Sequence, residues 1–119
     1  MSFFKRIFSK RKKEIGEEIK KPASIENISA PETINEGDIL KIIVQGHFSN
    51  KSWNLDEAVA EVKNRDIMVI IIGKKKTGIM SAQALKPFEA VIEVKKLKRG
   101  KYKIIAAKGP AKMQEIEVK

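Results

Sequence analysis

Three places in this sequence hold residue types capable of chemistry, and each fails a different requirement. His47 is the only histidine and cysteine is absent, so no paired-imidazole base, thiolate nucleophile or Cys/His zinc site can be assembled. Gly73-Lys-Lys-Lys-Thr-Gly78 brings glycines, lysines and a threonine together as phosphate-cradling loops do. The Walker arrangement needs its second glycine to be followed by Lys and Ser/Thr at the start of a helix, and here Gly78 is followed by Ile79 and Met80. The simpler reading is an exposed hairpin loop whose lysines discourage aggregation. Asp56 and Glu57 are adjacent carboxylates, and successive side chains of a strand point to opposite faces, so they are not expected to share a proton. Nucleophile-elbow and calcium-loop spacings are also missing. The expectation is a protein that is not an enzyme and uses no cofactor or metal.

Two groups of residues point to binding instead. Residues 1–21 hold eight basic side chains against Glu14, Glu17 and Glu18, which is half of the formal net charge of +10. Wound at ~100° per residue, Phe4, Ile7, Phe8, Ile15 and Ile19 fall on one stripe, with Phe3 at its border, Arg11 inside it and Gly16 weakening its second half. Phe3, Phe4, Ile7 and Phe8 are therefore expected to enter an apolar interface. Lys5, Arg6, Lys10, Arg11, Lys12 and Lys13 would meet an anionic one, as interfacial helices do on acidic membranes. The partner is expected to be an anionic membrane surface or a protein; docking of the stripe on the domain itself or on a second copy, and a flexible tail, stay open. The second group is Trp53, in the polar loop Ser49-Asn-Lys-Ser-Trp-Asn-Leu55, either a lid over the core edge or a partner contact. His47 is expected on the surface.

A basic nucleic-acid-binding protein is the alternative, supported by a pI near 9.8 and by lysines at Lys74 to Lys76, Lys95 to Arg99 and Lys101 to Lys108. The scarcity of aromatic side chains free for base stacking argues against it. No small-molecule substrate is indicated.

The elements that must position these residues follow from length and punctuation. A chain of 119 residues has room for one ordinary domain, and without cysteine it must rest on a packed apolar core, as in a reducing compartment. The weight of Lys, Glu and Ile resembles that of heat-adapted proteins. Four apolar residues among the first eight are too few for a secretory signal. The longest apolar run, Ile67 to Ile72, is strand-sized. The protein is thus expected to be cytoplasmic, peripheral to the inner membrane face. Pro22 cannot continue a helix, so the division falls into a basic amphipathic segment and linker, residues 1–23, and a folded domain, residues 24–119.

From Ser24 onward the pattern is that of strands. Leu40, Ile42, Val44 and Phe48 alternate with Lys41, Gln45 and His47; Phe88, Ala90, Ile92 and Val94 alternate with Glu89, Glu93 and Lys95; Ile116 and Val118 alternate with Glu115 and Glu117. Val59 and Val62 are expected to face inward. The run from Asp66 to Gly73 is apolar on both faces and is expected to lie centrally or to have its outer face covered. About seven short strands separated by turn signals predict an all-β protein, an antiparallel β-sandwich or a barrel, and a corner motif favours the sandwich. Leu97-Lys-Arg-Gly-Lys-Tyr102-Lys-Ile104 has the form of a tyrosine corner, with Tyr102 bonding back to the preceding loop, and Tyr102, Ile104 and Ala106 pointing inward.

With Ile67-Met-Val-Ile-Ile-Ile72, Ser81-Ala-Gln-Ala-Leu-Lys-Pro-Phe88-Glu, Leu97 to Tyr102 and Lys108-Gly109, the chain resembles the C-terminal half of immunoglobulin-like modules of prokaryotic cell-envelope proteins. It is similar in outline to fibronectin type III domains. The resemblance covers roughly 45 residues and implies an immunoglobulin-like sandwich serving as a spacer or binding surface, without catalytic residues. Envelope modules often carry a cysteine just before the Gln-Ala-Leu segment, where this chain has Met80 and Ser81, which speaks against an extracellular setting.

Overall fold

The computed structural model of the chain describes residues 18–76 and 84–119, and among them there are nine strands and no helix. They are β1 (Glu18–Pro22), β2 (Ile25–Ser29), β3 (Thr33–Ile34), β4 (Leu40–Phe48), β5 (Asn54–Lys63), β6 (Asp66–Lys76), β7 (Lys86–Val94), β8 (Gly100–Ala106) and β9 (Gln114–Val118). Two sheets form a sandwich. The smaller has the order β2-β4-β7, and the larger the order β1-β6-β8-β9-β3 with β5 also paired to β6. Since β5 occupies one edge of β6 from Asp66 to Lys74, the other edge is shared: β8 takes Asp66 to Val69 and β1 takes Ile72 to Lys76.

Alternation positions the core as the sequence implies. Leu40, Ile42 and Val44 of β4 are fully buried and stand opposite Val94, Ile92 and Ala90 of β7 in the strand register, with Phe88 opposite Gly46. From the larger sheet Ile67, Val69, Ile71, Tyr102, Ile104, Ile116 and Val118 close the same cluster. Burying a side chain of this size contributes ~1.5–3 kcal/mol relative to leaving it in water, so a small domain without cross-links is held chiefly by this layer. The corner is formed: Tyr102 Oη donates to the Lys98 carbonyl at 2.8 Å, above the buried Leu97, and Gly100 takes the left-handed φ of +138° that the turn needs.

Several expectations are corrected. Glu18 to Pro22 is a strand, not the last turn of an amphipathic helix: Ile19 pairs with Lys75 and Lys21 with Gly73. The earlier part of the expected helix, residues 1–17, lies outside the described residues. Gly73 to Lys76 is not a hairpin loop but the end of β6, held by β1. Residues 77–83 also lie outside the described region. The sandwich is not wholly antiparallel, because β6 and β8 run parallel, as do β3 and β9.

Val59 does not face the core. Its register partner is Ile70, while Ala58 and Ala60 stand beside Ile71 and Val69 and pack on the core. Val62 shares their parity, opposite Ile67, but at the open end of the hairpin it stays 46% exposed. A bulge between Leu55 and Glu57 inserts Asp56 as an extra residue opposite the β6 ladder. Such a residue interrupts strict alternation, so Asp56 joins the outer face that Glu57 occupies opposite Ile72.

Candidate functional site

β1 and β2 follow each other in sequence but belong to different sheets, so the chain must cross the end of the sandwich at Ala23 and Ser24. The crossing is pinned on both sides. Ala23 N donates to the Ile71 carbonyl at 2.8 Å, Ile25 N donates to Lys108 O at 2.9 Å, and Ala111 N donates to Ile25 O at 3.1 Å. Gly109 permits the last two, since a Cβ there would stand 2.4 Å from the Ile25 backbone, and its φ of +105° favours glycine independently.

Beside this crossing lies a cleft of about 260 Å³. Lys21 to Ser24 form one wall, His47 to Ser49 at the end of β4 another, and Trp53, Gly73 and Lys108 complete the lining. Gly73 lets the aromatic floor form: a Cβ at that position would meet Phe48 at 2.6 Å. Phe48 in turn packs against Phe88 with ring centroids 4.9 Å apart. Trp53 lies half-buried against the core cluster, with Lys75 Nζ 5.2 Å from its ring centroid, the arrangement of a cation over an aromatic face. Trp53 is therefore both a lid on the core edge and a wall of the cleft.

The polar lining carries Lys21, Lys108 and His47, the hydroxyls of Ser24 and Ser49, and no carboxylate. Lys108 Nζ also reaches the Pro22 carbonyl at 3.4 Å. His47 pairs with Glu26 of β2 through Nδ1 and remains 41% exposed. What such a lining can do is hold an anionic group beside an apolar ring face. The sequence does not reveal this cleft, because it comes from the change of sheet at Ala23–Ser24, where Pro22 reads as the edge of a folded domain. Pro22 was its only local signal. Among the described residues no group of three or more His, Cys, Asp or Glu side chains is arranged to hold a metal, and no helix is long and apolar enough to cross a membrane.

The other sequence-predicted binding residues, Phe3, Phe4, Lys5, Arg6, Ile7, Phe8, Lys10, Arg11, Lys12 and Lys13, lie outside the described region. Within the sandwich several charges are matched in place. Lys41 stands opposite Glu93, Lys101 opposite Glu117 and Lys103 opposite both Glu115 and Asp66. Arg99 Nε meets Glu36 at 3.2 Å. Where β1 meets β6, Lys20 Nζ is 3.3 Å from Asp56 Oδ2, without the alignment of a hydrogen bond, and Lys74 Nζ is 3.7 Å from Oδ1.

Comparison with curated proteins and with solved structures finds no match. Residues 42–118, the stretch from β4 through β9, match the ORF11 beta-sandwich domain. With well over half of its length in that match, the chain belongs to the ORF11 beta-sandwich domain family.

Proposed function

We propose that this protein is a non-enzymatic binding or adaptor module with an immunoglobulin-like arrangement of its sandwich. Its basic N-terminal segment attaches it to an anionic surface, the cytoplasmic face of a membrane. The observation that carries this reading is the distribution of charge. Residues 1–17 concentrate six basic side chains against Glu14 and Glu17, whereas in the sandwich Lys41, Lys101 and Lys103 stand opposite Glu93, Glu117 and Glu115. Each unmatched Lys or Arg near an acidic bilayer adds ~1 kcal/mol of attraction. The apolar side chains Phe3, Phe4, Ile7 and Phe8 add to it when they enter the interface.

The test is co-sedimentation of the full chain with vesicles of anionic and of neutral lipid, beside a chain carrying Lys10→Glu and Lys12→Glu. Removing everything before Ser24 is the wrong control, because it strips β1 from the larger sheet. Pelleting with anionic vesicles alone, lost in the double variant, is expected; equal pelleting of the two chains refutes the membrane reading.

Attachment through a protein partner uses the same segment, and a chain that ignores vesicles yet is captured through it supports that version. The nucleic-acid alternative is disfavoured by aromatic placement. Phe48, Phe88 and Tyr102 are buried and Trp53 is half-buried, so among the described residues the partly open ring of Trp53 is the one stacking surface left, too little to track a strand. Affinity for single-stranded nucleic acid that falls steeply with salt would favour it.

A further inference from the structure

Two strand positions where alternation calls for an apolar side chain hold glycine, and both border the cleft beside the crossing chain. On β6 the inward row runs through Ile67, Val69 and Ile71 of the core, and the next inward position is Gly73, with Lys21 of β1 directly opposite. A Cβ at Gly73 would stand 2.6 Å from Phe48 and 3.4 Å from Trp53, so the missing side chain brings both rings to the edge of the opening. On β4 the inward row includes Gly46. A Cβ there would stand 2.3 Å from the Ser24 carbonyl oxygen, and its absence lets the crossing chain close the wall. The cleft of about 260 Å³ is thus shaped by side chains left out of the pattern.

Its charge is one-sided. Lys21 and Lys108 line it, and Lys108 Nζ donates to the Pro22 carbonyl at 3.4 Å, which holds that ammonium group at the wall. Among the described residues neither lysine is paired with a carboxylate. Lys75 adds positive charge over the Trp53 ring, and Glu26 is already engaged by His47. We infer that the cleft binds a small aromatic acid, its flat ring against Phe48 and Trp53 and its carboxylate met by Lys21 and Lys108.

Size and donor set select this ligand class. Sites for drug-sized molecules occupy ~300–1,000 Å³, so a cleft of about 260 Å³ suits one ring with its acidic group. Phosphate groups are commonly held by arrays of backbone N–H groups or by the fork of an arginine. Here Ala23 N and Ile25 N already donate to the Ile71 and Lys108 carbonyls, and among the described residues no arginine lines the cleft. Two ammonium groups with no such array match a carboxylate. The site does not depend on attachment to a membrane.

Trp53 is the only tryptophan, so its fluorescence reports on the cleft in the full chain, without vesicles. Titration with phenylacetate should change the emission saturably, in the millimolar range that so small a ligand reaches. Acetate, which lacks the ring, and phenylacetamide, which lacks the charge, should each bind at least about tenfold more weakly. Lys21→Gln and Lys108→Gln should each weaken phenylacetate by about fivefold, while Lys41→Gln, on the outer face of the other sheet, leaves it unchanged. An unaltered urea midpoint shows that each variant is folded, and Lys108→Gln, in the exposed bend after β8, carries the test if Lys21→Gln disturbs β1. Absence of a saturable change overturns the assignment, as does equal binding of phenylacetamide, an equal effect of Lys41→Gln, or tighter binding of phenyl phosphate than of phenylacetate. Vesicle pelleting is scored separately, so either idea can fail alone.

Discussion

Along β4 exposure alternates without a break: Leu40, Ile42, Val44, Gly46 and Phe48 are buried, and Lys41, Ile43, Gln45 and His47 are exposed. Along β6 the alternation stops at Val69, and every residue from there to Gly73 is buried. Both strands lie inside their sheets, and both carry isoleucine at outward positions. Ile43 and Ile72 are the same side chain on the same kind of backbone, yet one is 39% exposed and the other not at all. The difference resides in what surrounds each position. Ile43 stands beside Ser29 and Val91 on a face of Lys, Gln and Glu, while Ile72 stands between Glu57 and Pro22 where a bulge, an ion-paired corner and the incoming chain converge. A period-two pattern identifies a strand with one wet face; a run without a period marks a strand whose second face has been taken up by something else.

The largest effect expected from this contrast is in stability. Ile42→Ala empties a core position and should cost ~2–5 kcal/mol, whereas Ile43→Ala should stay within ~0.5 kcal/mol. Ile72→Ala decides which of the two it resembles. A covered outer face places it with Ile42, and urea denaturation of the three variants with unchanged slope measures the ordering. Parity of Ile72→Ala with Ile43→Ala would erase the distinction between the two faces.

The same contrast explains what could be read from the residues alone. The inward sets of β4, β7 and β9, the corner at Tyr102 and the doubly apolar run of β6 were legible, because burial imposes alternation and a tight corner imposes Gly100. Val59 reads as inward in the sequence because a bulge at Asp56 leaves no sequence signature, and the polarity of β5 is decided by its register with β6. The cleft is not legible in the sequence for a related reason. Its residues come from positions 21–24, 47–49, 53, 73 and 108, and only the change of sheet after Pro22 brings them together. Ile19 falls on a helical stripe in the sequence because five residues of β1 are too few to show a period of their own, and their pairing with β6 overrides a weak local preference.

Electrostatics should separate the two faces by a smaller margin. Asp56 is 13% exposed and faces Lys20 and Lys74, so its charge is only partly screened by water. Asp56→Asn should cost about 1 kcal/mol, at the upper end of what exposed pairs give, because two ammonium groups lose their counter-charge in a poorly hydrated corner. Glu93→Gln, opposite Lys41 on the open face, should produce no measurable change, since both groups remain hydrated in the variant. The comparison sharpens with salt. At about 1 M the screening length falls to about 3 Å, shorter than the Lys74 to Asp56 separation of 3.7 Å. If the corner were open to solvent, the gap between Asp56→Asn and the parent protein would close in that salt. In a poorly hydrated corner the ions are held off, and most of the gap should persist.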